Sequence, residues 1–255
     1  MKFFVTSDIH SYYDEFKKSL DEAGFDENNE EHWLVVCGDY CDRGTQPKSV
    51  MKYLMDLPRK ILIKGNHEQL LVDCCNRGEA YSHDISNGTA DTIWRLGYGE
   101  DFYEMCDYTM KRVRLFFKSM VNYFETENYI FVHSWVPLIS KDGLPAHYTR
   151  NRTFEFNPNW RTASQKEWDA ATWGNPFDVA AKGLNQTGKT IVFGHWHCST
   201  GWAQAEGRSE FDVDAKFDPY YGDGFIAVDA CTAYSKQVNV IVLEDDFLEE
   251  ANADN

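Results

Sequence analysis

The sequence predicts an α/β protein built on a parallel sheet whose strands carry their polar residues at one end. Two observations lead there. Between Lys2 and Ile63, short runs rich in Val, Ile and Phe alternate with helix-spaced apolar stripes, the pattern of parallel βαβ units. Five such apolar runs along the chain also end in ionisable or polar residues, and in parallel sheets the loops at the carboxyl ends of the strands converge on one edge, where ligands bind.

The first run, residues 2–6, leads into Ser7-Asp8-Ile9-His10. Tyr13, Phe16, Leu20 and Ala23 then recur at helical spacing, and Gly24 is a good stop. The run 33–37 leads into Gly38-Asp39-Tyr40-Cys41-Asp42-Arg43-Gly44. Thr45 is placed to cap a second helix, with Pro47 in its first turn and Val50, Tyr53, Leu54 and Leu57 as its stripe. The run 61–63 leads into Lys64-Gly65-Asn66-His67-Glu68. A helical insertion is expected over about 68–120, with Thr89 capping a short helix that holds Ile93, Trp94 and Leu96, and a longer helix over 100–118. The segments 121–124 and 129–132 read as a hairpin that ends at His133-Ser134-Trp135. A long excursion follows, about 136–188, in which Ser164 and Glu167 form a capping box. The run 190–193 leads into Gly194-His195-Trp196-His197, and 225–230 and 238–243 read as the last strands. Residues 244–255 read as a frayed acidic tail. No repeat or linker divides the chain, so a single domain over 1–255 is expected.

Acidic side chains outnumber basic ones, 41 to 25, for a formal charge of −16. That balance argues against extended nucleic-acid binding and against docking on an anionic membrane, since both recruit Lys and Arg. No apolar run approaches the roughly 18 residues of a spanning helix. The start of the chain is too short in apolar residues for a secretory leader, and the seven cysteines have no framework spacing, so free thiols in a cytoplasmic protein are expected.

The strand-end clusters together supply Asp8, His10, Asp39, Asn66, His133, His195 and, two residues further on, His197. Oxygen and imidazole donors suit Mn, Fe, Zn or Ni rather than Ca or a thiolate-bound metal. The set is too large for one catalytic zinc and suits two metals sharing a carboxylate. Singly, each His reads as a core histidine and Asp42-Arg43 as a surface ion pair; it is their joint placement at strand ends that favours a site.

Asp8-x-His10, Gly38-Asp39-x-x-Asp42-Arg43-Gly44, Gly65-Asn66-His67-Glu68, His133 after a strand, and Gly194-His195 occur in that order. This series resembles the calcineurin-like metallophosphoesterase superfamily, and its second and third blocks resemble the phosphoprotein phosphatase branch, which includes phage-type protein phosphatases and symmetrical diadenosine tetraphosphatases. The resemblance implies a four-layer αββα sandwich with a dimetal site at the carboxyl ends of the strands. It implies Asp8 and His10 on the first metal, Asp39 bridging, and Asn66, His133 and His195 on the second. His197 is a candidate further ligand, because the last block ends as in other branches with a second His. His67 becomes the general acid, Asp42 its orienting carboxylate and Arg43 a phosphate-binding fork, with a hydroxide between the metals attacking phosphorus in line.

The pattern is departed from in places. Ser7 and Ser11 stand where the first block has Gly, Trp135 follows the fourth block, and Trp173-Gly174-Asn175 stands where phage-type enzymes carry a Trp-x-Arg. Asn175, Arg150, Arg152 and Arg161 are the candidates for the missing second phosphate contact. The activity expected is metal-dependent phosphoester hydrolysis with two divalent cations, manganese first, most simply as a serine/threonine-type protein phosphatase on a phosphorylated protein or small phosphoester. The alternatives are a hydrolase of dinucleoside polyphosphates or other nucleotides, for which Trp135, Trp160, Trp173 and Trp196 are the candidate stacking rings, and, less well supported, a non-catalytic binding module.

Overall fold

A computed structural model describes residues 1–141 and 153–248 of the chain. In order it contains β1 (Lys2–Thr6), α1 (Tyr13–Glu22), β2 (His32–Cys37), α2 (Pro47–Asp56), β3 (Lys60–Ile63) and then four helices, α3 (Asn66–Arg77), α4 (Ser82–Asn87), α5 (Thr89–Leu96) and α6 (Phe102–Lys118). The hairpin β4 (Tyr123–Glu125) and β5 (Tyr129–Val132) follows, then β6 (Leu138–Ser140), β7 (Phe154–Phe156), a 3-10 turn at Trp160–Thr162, α7 (Gln165–Ala171) and α8 (Pro176–Ala181). The chain closes with β8 (Thr190–Phe193), α9 (Cys198–Glu206), β9 (Tyr220–Gly222), β10 (Phe225–Ala227), α10 (Thr232–Ser235) and β11 (Ile241–Glu244).

Two sheets form. One has the order β11-β1-β2-β3, with β1, β2 and β3 parallel and β11 antiparallel at its edge. The other has the order β4-β5-β8-β10-β9, with β5, β8 and β10 parallel and the outer strands antiparallel. The inner strands are buried on both faces, which is why they read as continuous apolar runs. Phe3, Val5, Val35, Cys37 and Ile63 face Phe131, Val192, Ile226 and Val228 in the layer between the sheets. On the outer face of the first sheet, Phe4, Leu34 and Val36 pack on Phe16 and Leu20 of α1, Val50 and Leu54 of α2, and Val113 and Phe116 of α6. On the outer face of the second, Ile130, Ile191 and Phe193 pack on Trp160, Trp168 of α7, Phe177 of α8 and Cys198 of α9. Helices, sheet, sheet and helices make the expected four-layer αββα arrangement.

Several local expectations need correction. Thr45 caps nothing: α2 starts at Pro47 without a side-chain cap, because the Gln46 amide is tied to the Ser11 carbonyl and its side chain to Asp14. About half of the described residues in the 136–188 excursion are in regular elements. Helix α8 was signalled by Asn175-Pro176, an N-cap residue followed by Pro in the first turn. The capping box of Ser164 and Glu167 forms as expected, Ser164 N–H donating to the Glu167 carboxylate at 2.7 Å. The acidic tail is tied down in its first part: Glu244 ends β11, Asp245 accepts from Asn128, and Phe247 packs edge-on against Phe3 and Trp33. Residues 249–255 of that tail, like Arg150 and Arg152, lie outside the described residues.

Candidate metal centre

The site lies where strand ends of both sheets converge. Asp8 and His10 follow β1, Asp39, Asp42 and Arg43 follow β2, and Asn66 and His67 open α3 directly after β3. His133 follows β5 and His195 follows β8. Turning the chain so sharply at strand ends needs unusual backbone. Asp8, His10, Ser11, Asp39, Asp42, Arg43 and His195 all sit at φ between 47° and 72°, a region that costs a non-glycine residue about 1 kcal/mol or more. Ser11, where the family pattern has Gly, is at φ 62°. Glycine itself is required where parts touch: a Cβ on Gly65 would lie 2.2 Å from Asp39 Oδ1, and one on Gly194 would lie 2.2 Å from Asp8 Oδ2.

Two groups of side chains converge closely enough to hold cations, His10 with Asp39 and His67, and Asp39 with His133 and His195. Asp39 belongs to both. Its Oδ2 lies 3.8 Å from His10 Nε2 and its Oδ1 3.4 Å from His133 Nε2. Asp8 Oδ1 is 3.8 Å from His10 Nε2, and Asp8 Oδ2 accepts from the His195 amide at 2.8 Å. Asn66 Oδ1 sits 2.8 Å from His133 Nε2 and 3.1 Å from His195 Nδ1.

The chemistry of these donors fits metal ions. His10 donates from Nδ1 to the Cys41 carbonyl at 2.9 Å, and His133 from Nδ1 to the Cys37 carbonyl at 2.7 Å, which leaves each Nε2 as the lone-pair atom facing the centre. His10 Nε2 is buried with no hydrogen-bond partner among the described residues. His133 Nε2 and Asn66 Oδ1 are then two acceptors facing each other at 2.8 Å, an arrangement a cation relieves. Burial lowers the pKa of His10, His133 and His195 and keeps these imidazoles neutral, the state a ligand needs. Burial, with Asp229 nearby, pushes Asp8 up to about 6, and burial with the Asp8 and Glu68 charges pushes Asp39 well above the ordinary carboxylate range. So much buried negative charge calls for compensating cations.

Beside this centre, His67 Nδ1 bonds Asp42 Oδ2 at 2.7 Å, which directs Nε2 toward Asp39 Oδ2, 3.9 Å away. Burial alone would lower the His67 pKa, but the Asp39 and Asp42 carboxylates outweigh it and raise it. Arg43 is exposed, and its Nη2 lies 3.3 Å from His67 Nε2.

Some expected contributors are engaged by other partners. His197 opens α9 with Nδ1 2.9 Å from Glu210 Oε1 and belongs to neither donor group. Arg161 is occupied by Glu125, which accepts from its Nε at 2.8 Å and its Nη2 at 2.6 Å. Asn175 Oδ1 caps α8, accepting from the Phe177 and Asp178 amides. Trp135 and Trp160 are buried in the outer core, so neither ring is available for stacking.

Other contributors escaped the sequence reading. Glu68 accepts from the amides of Asp39, Tyr40 and Gly65 at 2.8–3.0 Å and so holds the Asp39 loop against α3. Thr89, expected to cap α5, instead donates to Asp42 Oδ2 at 2.6 Å, while Thr92 Oγ1 accepts from the Asp42 amide at 3.0 Å. Gly88, the residue before Thr89, makes this approach feasible, since a Cβ there would lie 2.5 Å from the Arg43 nitrogen. Asp229 follows β10, is buried beside Asp8, and accepts from the Cys231 amide at 2.7 Å. Its apolar run 225–228 has the same grammar as the other five and was the signal available.

Carboxylates, imidazoles and an amide gathered at the strand ends of two stacked sheets define a metallophosphoesterase, a hydrolase of phosphoesters. The chain belongs to the calcineurin-like phosphoesterase family, whose profile matches residues 1–199. Over 73 residues it is 37% identical to a symmetrical bis(5'-nucleosyl)-tetraphosphatase of Buchnera aphidicola subsp. Schizaphis graminum, and over 69 residues 36% identical to that of Wigglesworthia glossinidia brevipalpis. These matches cover 28% and 27% of this chain and only about a quarter, 26% and 25%, of the relatives. Among solved structures, a putative diadenosine tetraphosphatase superposes with a TM-score of 0.53 at 15% identity over 95% of this chain and 89% of that one. The cold-active protein-tyrosine phosphatase of a psychrophilic Shewanella gives 0.53 at 19% identity over 95% and 75%. At these identities the superpositions speak for the fold alone.

Proposed function

We propose that the chain hydrolyses phosphoesters at a two-metal centre, on the observation that two donor groups share Asp39, and that His67 of the first group is turned by its Nδ1 bond to Asp42. Asp8 and His10 would hold the first cation, Asn66, His133 and His195 the second, and Asp39 would serve both. Manganese suits this mixed oxygen and imidazole set, as do iron, zinc and nickel. Such a metal pair, when bound, supplies an activated water and neutralises phosphoryl charge.

The remaining chemistry belongs to the chain. Asp42, held by Thr89 and Thr92, fixes the His67 ring and stabilises its cation, so that His67 Nε2 carries a proton toward the leaving oxygen. Arg43, exposed at the edge of the site, offers its fork to a phosphate oxygen. The backbone that positions Asp39 is held in advance by Glu68, so little reorganisation accompanies the reaction.

Of the two substrate classes left open, we take the nucleotide phosphoester, which is supported by the chain's similarity to symmetrical bis(5'-nucleosyl)-tetraphosphatases. The serine/threonine-type phosphoprotein reading rests on the same Asp39–Gly44 and Gly65–Glu68 blocks and is the competitor to test. A panel of diadenosine tetraphosphate, phosphoserine and phosphothreonine peptides with one manganese-loaded preparation decides between them. Nucleotide turnover that exceeds peptide turnover and vanishes with chelator is expected. Undiminished turnover in excess chelator after exhaustive dialysis would overturn the two-metal proposal, and peptide preference would overturn the nucleotide one.

A further inference from the structure

On the Asp8–His10 side of the donor cluster the surface carries rings that the mechanism does not use. Phe211 is 50% exposed and Tyr234 63% exposed, although each lies in a ring cluster. Their centroids are 5.2 Å apart, and Phe217 backs both at 6.4 Å and 5.6 Å. The cluster is fastened to the site from two directions. Phe211 packs edge-on against His197, 5.9 Å between centroids and two residues from His195. Tyr234 belongs to α10, whose Thr232 hydroxyl donates to the Asp8 carbonyl at 2.9 Å. That short helix is bounded by Cys231 at φ 53° and Lys236 at φ 58°, two non-glycine residues in the left-handed region. Lys236 then reaches back to the Tyr12 hydroxyl at 2.9 Å, beside the His10 loop.

Tyr234 and Phe211 thus present an exposed ring pair on and beside the segment that is tied to Asp8. Planar rings near a phosphate-handling centre match one ligand chemistry well, a phosphate that carries a flat aromatic group, because ring–base stacking tolerates any base. On the strength of the nucleotide proposal, we infer that Phe211 and Tyr234 form the specificity rim of this enzyme, on which the nucleobase of the substrate stacks. Neither residue touches the reacting atoms; their contribution is to substrate binding and discrimination.

The test compares wild type, Phe211→Ala, Tyr234→Ala and the ring-preserving Tyr234→Phe as manganese-loaded full-length proteins. Binding of adenosine 5'-monophosphate and of inorganic phosphate is read by calorimetry, and kcat/KM is read on a diadenosine polyphosphate and on phosphoserine. Wild type is expected to bind the nucleotide more tightly than phosphate. Each alanine variant should weaken nucleotide binding and kcat/KM by about 5- to 150-fold, the equivalent of the about 1–3 kcal/mol of one stacked base. Phosphate affinity, metal content and phosphoserine turnover should stay within about twofold, and Tyr234→Phe should resemble wild type. Equal losses on nucleotide and phosphoserine, unchanged nucleotide binding in both alanine variants, or a wild type that binds the nucleotide no better than phosphate would each overturn the rim. Loss of metal-dependent turnover on every substrate in wild type would instead overturn the proposed function, so the two failures are separable.

Discussion

At the scale of single residues, the site depends on who holds the holders. His67 has one strong partner, Asp42, and Asp42 Oδ2 is shared between His67 and Thr89. His67→Ala should lower kcat on an alkyl phosphoester by about 100- to 10,000-fold, the range of a lost general acid, with metal content unchanged. The loss should be smaller on p-nitrophenyl phosphate, whose leaving group needs little protonation; stopped assays on both substrates with metal analysis check this. Thr89→Val removes one bond from a buried carboxylate whose Oδ1 already has no hydrogen-bond partner among the described residues. It should cost about 1–3 kcal/mol in urea unfolding and lower kcat while leaving the metals in place. None of this dependence on Thr89 was legible beforehand, because 47 positions separate it from Asp42 and only tertiary packing joins them. The convergence of these side chains was legible, because Asp, His and Asn stood at the ends of buried strands, where nothing in core packing asks for them.

At the scale of elements, the segments read best were those whose period and boundaries agree. The strands of the first sheet and helices α1, α5 and α6 were close to their expected places. The misreadings cluster where a polar side chain has a more distant partner than its own helix, as with Thr89, or where short elements lack periodicity, as with β6, β7 and α8. The hairpin end at Glu125 shows what such tertiary pairing contributes. Burial raises the Glu125 pKa, but Arg161 and Lys189 outweigh it and hold the carboxyl below its ordinary value. A depressed folded pKa contributes stability above the unfolded pKa and loses it as pH falls through the folded one. Glu125→Gln should therefore destabilise by about 1–3 kcal/mol at pH 7, and the difference from wild type should shrink below about pH 4. Urea unfolding at both pH values measures it; an equal deficit at both would mean that the pair's charge is not the cause.

At the scale of the whole molecule, the net charge of −16 takes on a local meaning. Asp8, Asp39, Glu68 and Asp229 place several of the negative charges in one buried region, and the cations bound there would be the natural counterweight. Metal loading should then act as a stability switch. With manganese at about 100 times its dissociation constant, one site stabilises by about 2.7 kcal/mol, which for a chain this long raises Tm by about 5–11 °C. Scanning calorimetry of chelator-treated and manganese-loaded protein reads this directly, and an unchanged Tm would count against the centre. Among the described residues, no helix is long and apolar enough to cross a membrane, in line with the composition.

The donors hang from two different sheets, Asp8, His10, Asp39 and Asn66 from one and His133 and His195 from the other. What keeps them apart is hydrocarbon: Phe3, Val5 and Val35 on one side and Phe131, Val192 and Ile226 on the other. The gauge of the catalytic gap is thus cut in oil rather than in charge. Trimming a buried ring such as Phe131 would retune the chemistry from a distance, by letting two plates settle closer together without touching a single ligand.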